Sequence, residues 1–129
     1  MPMEKIEFEA TPKTPYLMVD PKTKTIVING RSIPENTVQF YTPLFNILDK
    51  WIAEKTKDKI TATIRLEYFN TSSSKCILDI FKKLQELQKN GAEVDITWMY
   101  EKDDEDMMEA GQDYQTIVGI KFKMVEVEE

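Results

Sequence analysis

Histidine is absent from this chain, cysteine occurs once, and glycine only four times. Each shortage removes a class of chemistry. Without histidine there is no Ser-His or Cys-His nucleophile arrangement, and the commonest metal ligand is missing. The lone Cys76 excludes an internal disulfide and fits a reducing compartment, so a cytoplasmic location is expected. Gly30, Gly91, Gly111 and Gly119 are too scattered to form a glycine-rich phosphate loop. No apolar run approaches the ~20 residues of a membrane span, and Met1-Pro2-Met3-Glu4-Lys5 lacks a signal-peptide core. The expectation is a protein that is not an enzyme, with no catalytic residue, cofactor or metal.

Positive charge is also short. Seventeen lysines and arginines face 23 acids, for a net charge of −6, and the lysines are interspersed with acids. A nucleic-acid partner requires a basic face that displaces counterions, and an anionic membrane surface repels a chain of this sign. Neither partner is expected. The 129 residues, 41% hydrophobic and 31% charged, suit one globular domain spanning 1–129.

The first dozen residues mix charge and proline without a lasting period and read as a loose arm, 1–12. Tyr16-Leu17-Met18-Val19 and the β-branched run Thr25-Ile26-Val27-Ile28 flank Asp20-Pro21-Lys22-Thr23, a turn sequence, and predict a hairpin. Tyr41, Leu44, Phe45, Leu48 and Ile52 fall three and four apart, as on one face of a helix. Pro43 interrupts that stripe. Either the regular helix begins near it with Thr42 as cap, or an earlier turn bends there.

Ile60, Ala62, Ile64, Leu66 and Tyr68 alternate with polar residues in the period of a half-buried strand. A helical stripe through Ile77, Ile80, Phe81, Leu84 and Leu87 follows and ends at Asn90-Gly91. Val94 to Tyr100 reads as a strand, Asp103 to Tyr114 as an acidic helix, and Ile117 to Val127 as a last strand. The order ββαβαβαβ predicts a layered α/β domain with strands 60–69 and 94–100 parallel around a right-handed crossover.

Between strand 60–69 and its helix lies Asn70-Thr71-Ser72-Ser73-Ser74. Capping of a helix N-terminus by one side chain explains these residue types, with the others solvated. Four consecutive hydroxyls nevertheless exceed what a cap needs. Leu66 to Ser73, with Pro34-Glu35-Asn36 before it and Val94, Trp98 and Tyr100 after it, resembles the SiaC family of biofilm-regulation phosphoproteins, bacterial domains related in fold to STAS-type anti-anti-sigma factors. The likeness runs from about the first hairpin to the end.

The resemblance implies a phosphorylation-controlled, partner-switching domain. It implies that a cognate protein kinase of ATPase fold phosphorylates Thr71, that a PP2C-type phosphatase reverses this, and that the unmodified form binds an effector such as a diguanylate cyclase. Asn70, Ser72, Ser73, Lys75, Tyr68, Pro34, Glu35 and Asn36 are the partner-binding residues it points to, with Ser72 and Ser73 ranked as cap and neighbour. Lys75, four residues beyond Thr71, reaches the same turn and either neutralises a phosphate or pairs with Asp79.

Other residues have simpler readings. Glu101-Lys102-Asp103-Asp104-Glu105-Asp106 lacks the spacing and glycine of an EF-hand, and acids in a first helical turn complement its dipole. Cys76 falls near an apolar stripe and reads as a small buried hydrophobe. Trp98 and Tyr100 share a strand face and read as core. The competing classes are a small-ligand or nucleotide-binding domain, a hydrolase using carboxylates such as Glu35, Glu67 or Asp95, and an unmodified constitutive scaffold. Pro43 and the acidic run 101–106 depart from the family pattern on surfaces that a partner would meet.

Overall fold

The computed structural model describes residues 4–128. Strands β1 (Ile6–Phe8), β2 (Tyr16–Asp20) and β3 (Thr25–Ser32) lead into α1 (Thr37–Ala53), β4 (Lys59–Phe69), α2 (Thr71–Lys89), β5 (Glu93–Glu101), α3 (Glu105–Val118) and β6 (Lys123–Val127). The six strands form one sheet in chain order, antiparallel for β1–β2–β3 and parallel from β3 to β6. The layered α/β class and the parallel pairing of β4 with β5 are as predicted.

Strand order and crossover hand together decide where the core lies. Parallel neighbours joined by helices take right-handed crossovers. With strands in sequential order, all three helices then fall on one face. The register agrees: Leu17 opposes Ile28, Ile26 opposes Ala62, Ile28 opposes Ile64, and Ile64 opposes Trp98. These residues are buried, whereas Val27, Thr63 and Thr97 on the other face are only half-buried. Under the helices, Phe81 packs against Phe122, Tyr114 and Trp98 with ring centroids 4.8, 5.2 and 6.1 Å apart. The Trp98 indole donates to the Met107 carbonyl at 2.9 Å, which satisfies its polar edge. Gly111 lies directly over this ring, and a Cβ there would meet Trp98 Cδ1 at 2.5 Å.

Four expectations need correction. The N-terminal segment is not wholly loose, because Ile6–Phe8 adds an antiparallel edge strand to β2 and changes the order to βββαβαβαβ; residues 1–3 lie outside the described residues. Backbone pairing there outweighs a weak side-chain signal. Of the two readings at Pro43 the start with Thr42 as cap fails, because helix α1 begins earlier, at Thr37, and runs through Pro43. The missing proline N–H costs about 3 kcal/mol or more in a helix interior, set against burial of Tyr41, Leu44, Ile47, Leu48 and Trp51. Thr42 is no cap; its hydroxyl donates back to the Val38 carbonyl at 2.7 Å. Helix α3 continues to Val118 and β6 begins only at Lys123, so the segment from Ile117 is not all strand.

The fourth correction concerns Tyr68. A bulge between β3 and β4 sets Gly30 opposite Leu66 but Arg31 opposite Tyr68, leaving Glu67 as an extra residue. Gly30 takes φ +129 there, a conformation open to glycine. One extra residue inverts the phase of a strand. Tyr68 therefore leaves the core face and is 50% exposed, while Phe69 turns inward toward Tyr114 at a centroid distance of 6.5 Å.

Candidate functional site

Three helices begin at the same edge of the sheet, beyond the C-terminal ends of β3, β4 and β5, and each has a side-chain cap. Asn36 Oδ1 accepts from Gln39 N at 3.1 Å, Asn70 Oδ1 from Ser73 N at 2.8 Å, and Asp104 Oδ1 from Met107 N at 3.0 Å. The caps account for both asparagines of the predicted surface. Asn70, not a serine, caps α2. Its backbone N–H donates to the Ser32 carbonyl at 3.1 Å, and its carbonyl accepts from Ser74 N at 2.9 Å. The junction is thus tied to the end of β3, next to the Pro34–Asn36 loop.

The four hydroxyls after Asn70 have different environments. Ser73 is fully buried, and its hydroxyl donates to the Ser32 carbonyl at 2.9 Å and accepts from Ser32 Oγ at 2.7 Å. Tyr41 then supplies its phenol proton to Ser32 Oγ, also at 2.7 Å. Burial pushes the Tyr41 phenol up to about 12, so it stays a donor at neutral pH. Ser74 bonds Tyr114, its hydroxyl lying 2.9 Å from the phenol while its carbonyl accepts from that phenol at 3.0 Å. Thr71 and Ser72 are exposed, and among the described residues neither side chain has a hydrogen-bond partner.

The cap and the first intrahelical bond occupy the Ser73 and Ser74 amides, which leaves those of Thr71 and Ser72 without an intrahelical acceptor at the positive end of α2. Lys75 is exposed one turn further on, and among the described residues it forms no ion pair, with Asp79 or otherwise. An open groove of about 450 Å³ runs from Thr71 and Lys75 between α2 and α3, over Phe69, Leu78 and Ile117. On the other side of the junction, Arg31 lies 5.9 Å from the centroid of the exposed Tyr68 ring.

Not every predicted partner residue reaches this surface. Tyr68, Asn70, Ser72, Lys75, Glu35 and Asn36 are exposed or half-exposed, whereas Ser73 and Pro34 are buried. Ser73 faces inward, held by its hydrogen bonds to Ser32 at the end of β3. Sequence reading missed Ser32 and Tyr41 as partners of this junction. Tyr41 looked like any member of an apolar stripe, and Ser32 is 41 residues from Ser73.

The remaining candidates are structural. Asp104 is a cap, and Glu105 and Asp106 occupy the first turn of α3. Among the described residues no group of three or more acids or cysteines is placed to hold a metal ion. Burial, then the nearby Asp79, raises the Cys76 thiol, which disfavours a reactive thiolate. Asp95 pairs with Lys59 at 3.2 Å, and Glu35 and Glu67 are exposed. Among the described residues no helix is long and apolar enough to cross a membrane.

The family described as SiaC family regulatory phosphoprotein matches residues 8–127. The chain belongs to the SiaC family. Membership makes it a regulatory phosphoprotein and not an enzyme. An uncharacterized protein of Pseudomonas aeruginosa (strain UCBPP-PA14) is 25% identical over 120 residues, covering 93% of this chain and 94% of the relative. The fold matches that found in the crystal structure of the diguanylate cyclase SiaD in complex with its activator SiaC from Pseudomonas aeruginosa. The TM-score is 0.86 at 24% identity, over 95% of this chain and 99% of the matched one. It also matches apo-SiaC of Pseudomonas aeruginosa, with a TM-score of 0.82 at 22% identity, over 95% of this chain and 99% of that one.

Proposed function

We propose that this SiaC-family domain is a phosphorylation-controlled binding switch in bacterial signalling, with Thr71 as the phosphoacceptor. A cognate kinase adds the phosphate, a PP2C-type phosphatase removes it, and the unmodified form binds an effector of the diguanylate cyclase class. The carrying observation is the sorting of the hydroxyls after Asn70. Ser73 and Ser74 are bonded within the fold, while Thr71 stands exposed at the first helical position. Ser72 is also exposed, and the position directly after Asn70 favours Thr71 over it.

The electrostatics suit a reversible modification. A phosphate adds about −1.5 to −2 charges. At Thr71 it meets two amides that lack intrahelical acceptors and the positive end of a 19-residue helix, with Lys75 one turn away. Such an interaction favours the modified helix by about 0.3–1 kcal/mol at an exposed site. Phosphorylation therefore leaves the domain folded, and its effect falls on the partner. An effector that packs on the apolar groove beside Thr71 would have to bury the new charge, at a cost of several kcal/mol. The matched fold in a complex of a cyclase with its activator supports an effector of that class.

The test is phosphate mapping after incubation with the cognate kinase and ATP. Incorporation at Thr71 that is lost in Thr71→Ala and kept in Ser72→Ala supports the assignment. Incorporation unchanged in Thr71→Ala refutes it.

A further inference from the structure

The buried hydroxyls behind the acceptor form a directed chain. The Tyr41 phenol donates to Ser32 Oγ, Ser32 Oγ donates to Ser73 Oγ, and Ser73 Oγ donates to the Ser32 carbonyl, at 2.7, 2.7 and 2.9 Å. All three residues have no exposed surface. The same Ser32 carbonyl accepts from Asn70 N, so one peptide group of β3 holds the cap and the third residue of α2 together.

Stability alone gives little reason for three hydroxyls here. A buried polar set replaced in full by apolar groups of the same shape is often nearly neutral, whereas removing one member strands the others. Helix ends, by contrast, fray. Thr71 occupies the first position of α2, where the Asn70 cap and the bond from Ser74 N to the Asn70 carbonyl close the turn. Phosphoryl transfer depends on placing the attacking oxygen in line, and a 1 Å displacement can lower a rate by about 100-fold.

We infer that Ser73, backed by Ser32 and Tyr41, is a positioning residue for the acceptor. The chain clamps the first turn of α2 to β3, which presents the Thr71 hydroxyl outward in one geometry to the enzymes that modify it. This inference rests on Thr71 being the acceptor, as proposed above. It gives the neighbouring serines opposite roles: Ser73 acts from inside the fold and receives no phosphate.

Two variants separate positioning from mere stability. Ser73→Ala breaks the chain and strands its partners, so both the Tm and the rate at Thr71 fall. The triple variant Ser32→Ala/Ser73→Ala/Tyr41→Phe leaves no hydroxyl stranded, so its Tm recovers above that of Ser73→Ala. Its kcat for Thr71 phosphorylation, with cognate kinase and ATP, stays about tenfold below wild type, with KM little changed because the exposed surface is intact. Amide exchange at Ser72, Ser73 and Ser74 is faster in the triple variant. Ile60→Val, in the buried start of β4, serves as a control that lowers Tm and leaves kcat alone.

A wild-type kcat in the triple variant overturns the inference and leaves the chain a packing feature. Wild-type protein that takes no phosphate at Thr71 refutes the switch reading itself, and the inference with it. The two failures are therefore distinguishable in one set of assays.

Discussion

Ser73 and Ser32, 41 residues apart, share two hydrogen bonds in the interior: hydroxyl to hydroxyl at 2.7 Å and hydroxyl to carbonyl at 2.9 Å. This pair joins the end of β3 to the start of α2. It separates the buried serine from the exposed Thr71 only two positions earlier. The same junction is held a second time by Asn70, whose backbone donates to Ser32 and whose side chain caps the helix.

Loss of that cap is expected to loosen the helix and the proposed acceptor, Thr71, together. Asn70→Ala should lower stability by about 0.5–2 kcal/mol, whereas Asn70→Asp keeps the capping oxygen and should stay close to wild type. Urea unfolding followed by circular dichroism measures both.

Gly111 tests the packing of α3 on the sheet. A methyl group there would press on the face of Trp98, which is fully buried and already bonded to the Met107 carbonyl. Gly111→Ala should therefore destabilise by about 1–3 kcal/mol and change the Trp98 fluorescence. An unchanged Tm would show that α3 lies further from the ring.

Alkaline pH tests the Tyr41 end of the hydroxyl chain. Burial raises this phenol from 10.0 to about 12 in the folded state, with the Ser32 hydrogen bond acting in the opposite direction. Above pH 10 the unfolded chain has lost this proton while the folded chain keeps it, so folding becomes less favourable. The contribution is whole below pH 10 and is lost between pH 10 and 12, about 3 kcal/mol for a shift of this size. Tyr114 and Cys76, both raised first by burial, act in the same sense. Tyr41→Phe should flatten part of the decline of Tm with pH over this window.

Much of this architecture was legible from local periodicity. The alternation from Ile60 to Leu66 and the stripe from Ile77 to Leu87 place β4 and α2, with the junction between them. Elsewhere the governing interaction was distant in sequence. Ile6–Phe8 is a strand because β2 offers a free edge, and Pro43 is tolerated because the face around it is buried. Tyr68 broke the alternation through a bulge that a glycine on the neighbouring strand permits. At the site, the family resemblance around Asn70 pointed to Thr71, which remains the proposed acceptor and stands exposed. The inward turn of Ser73 could not be read there, because its partners Ser32 and Tyr41 belong to other elements.

The central claim is that phosphate on Thr71 changes partners without unfolding the domain. Calorimetric titration of a diguanylate cyclase effector, with unmodified and stoichiometrically Thr71-phosphorylated protein, tests it most directly. Binding by the unmodified form is expected, with at least ~100-fold weaker binding after phosphorylation, equivalent to about 2.7 kcal/mol, and superimposable circular dichroism spectra. Equal affinity of the two forms, or loss of the folded spectrum on phosphorylation, would contradict it.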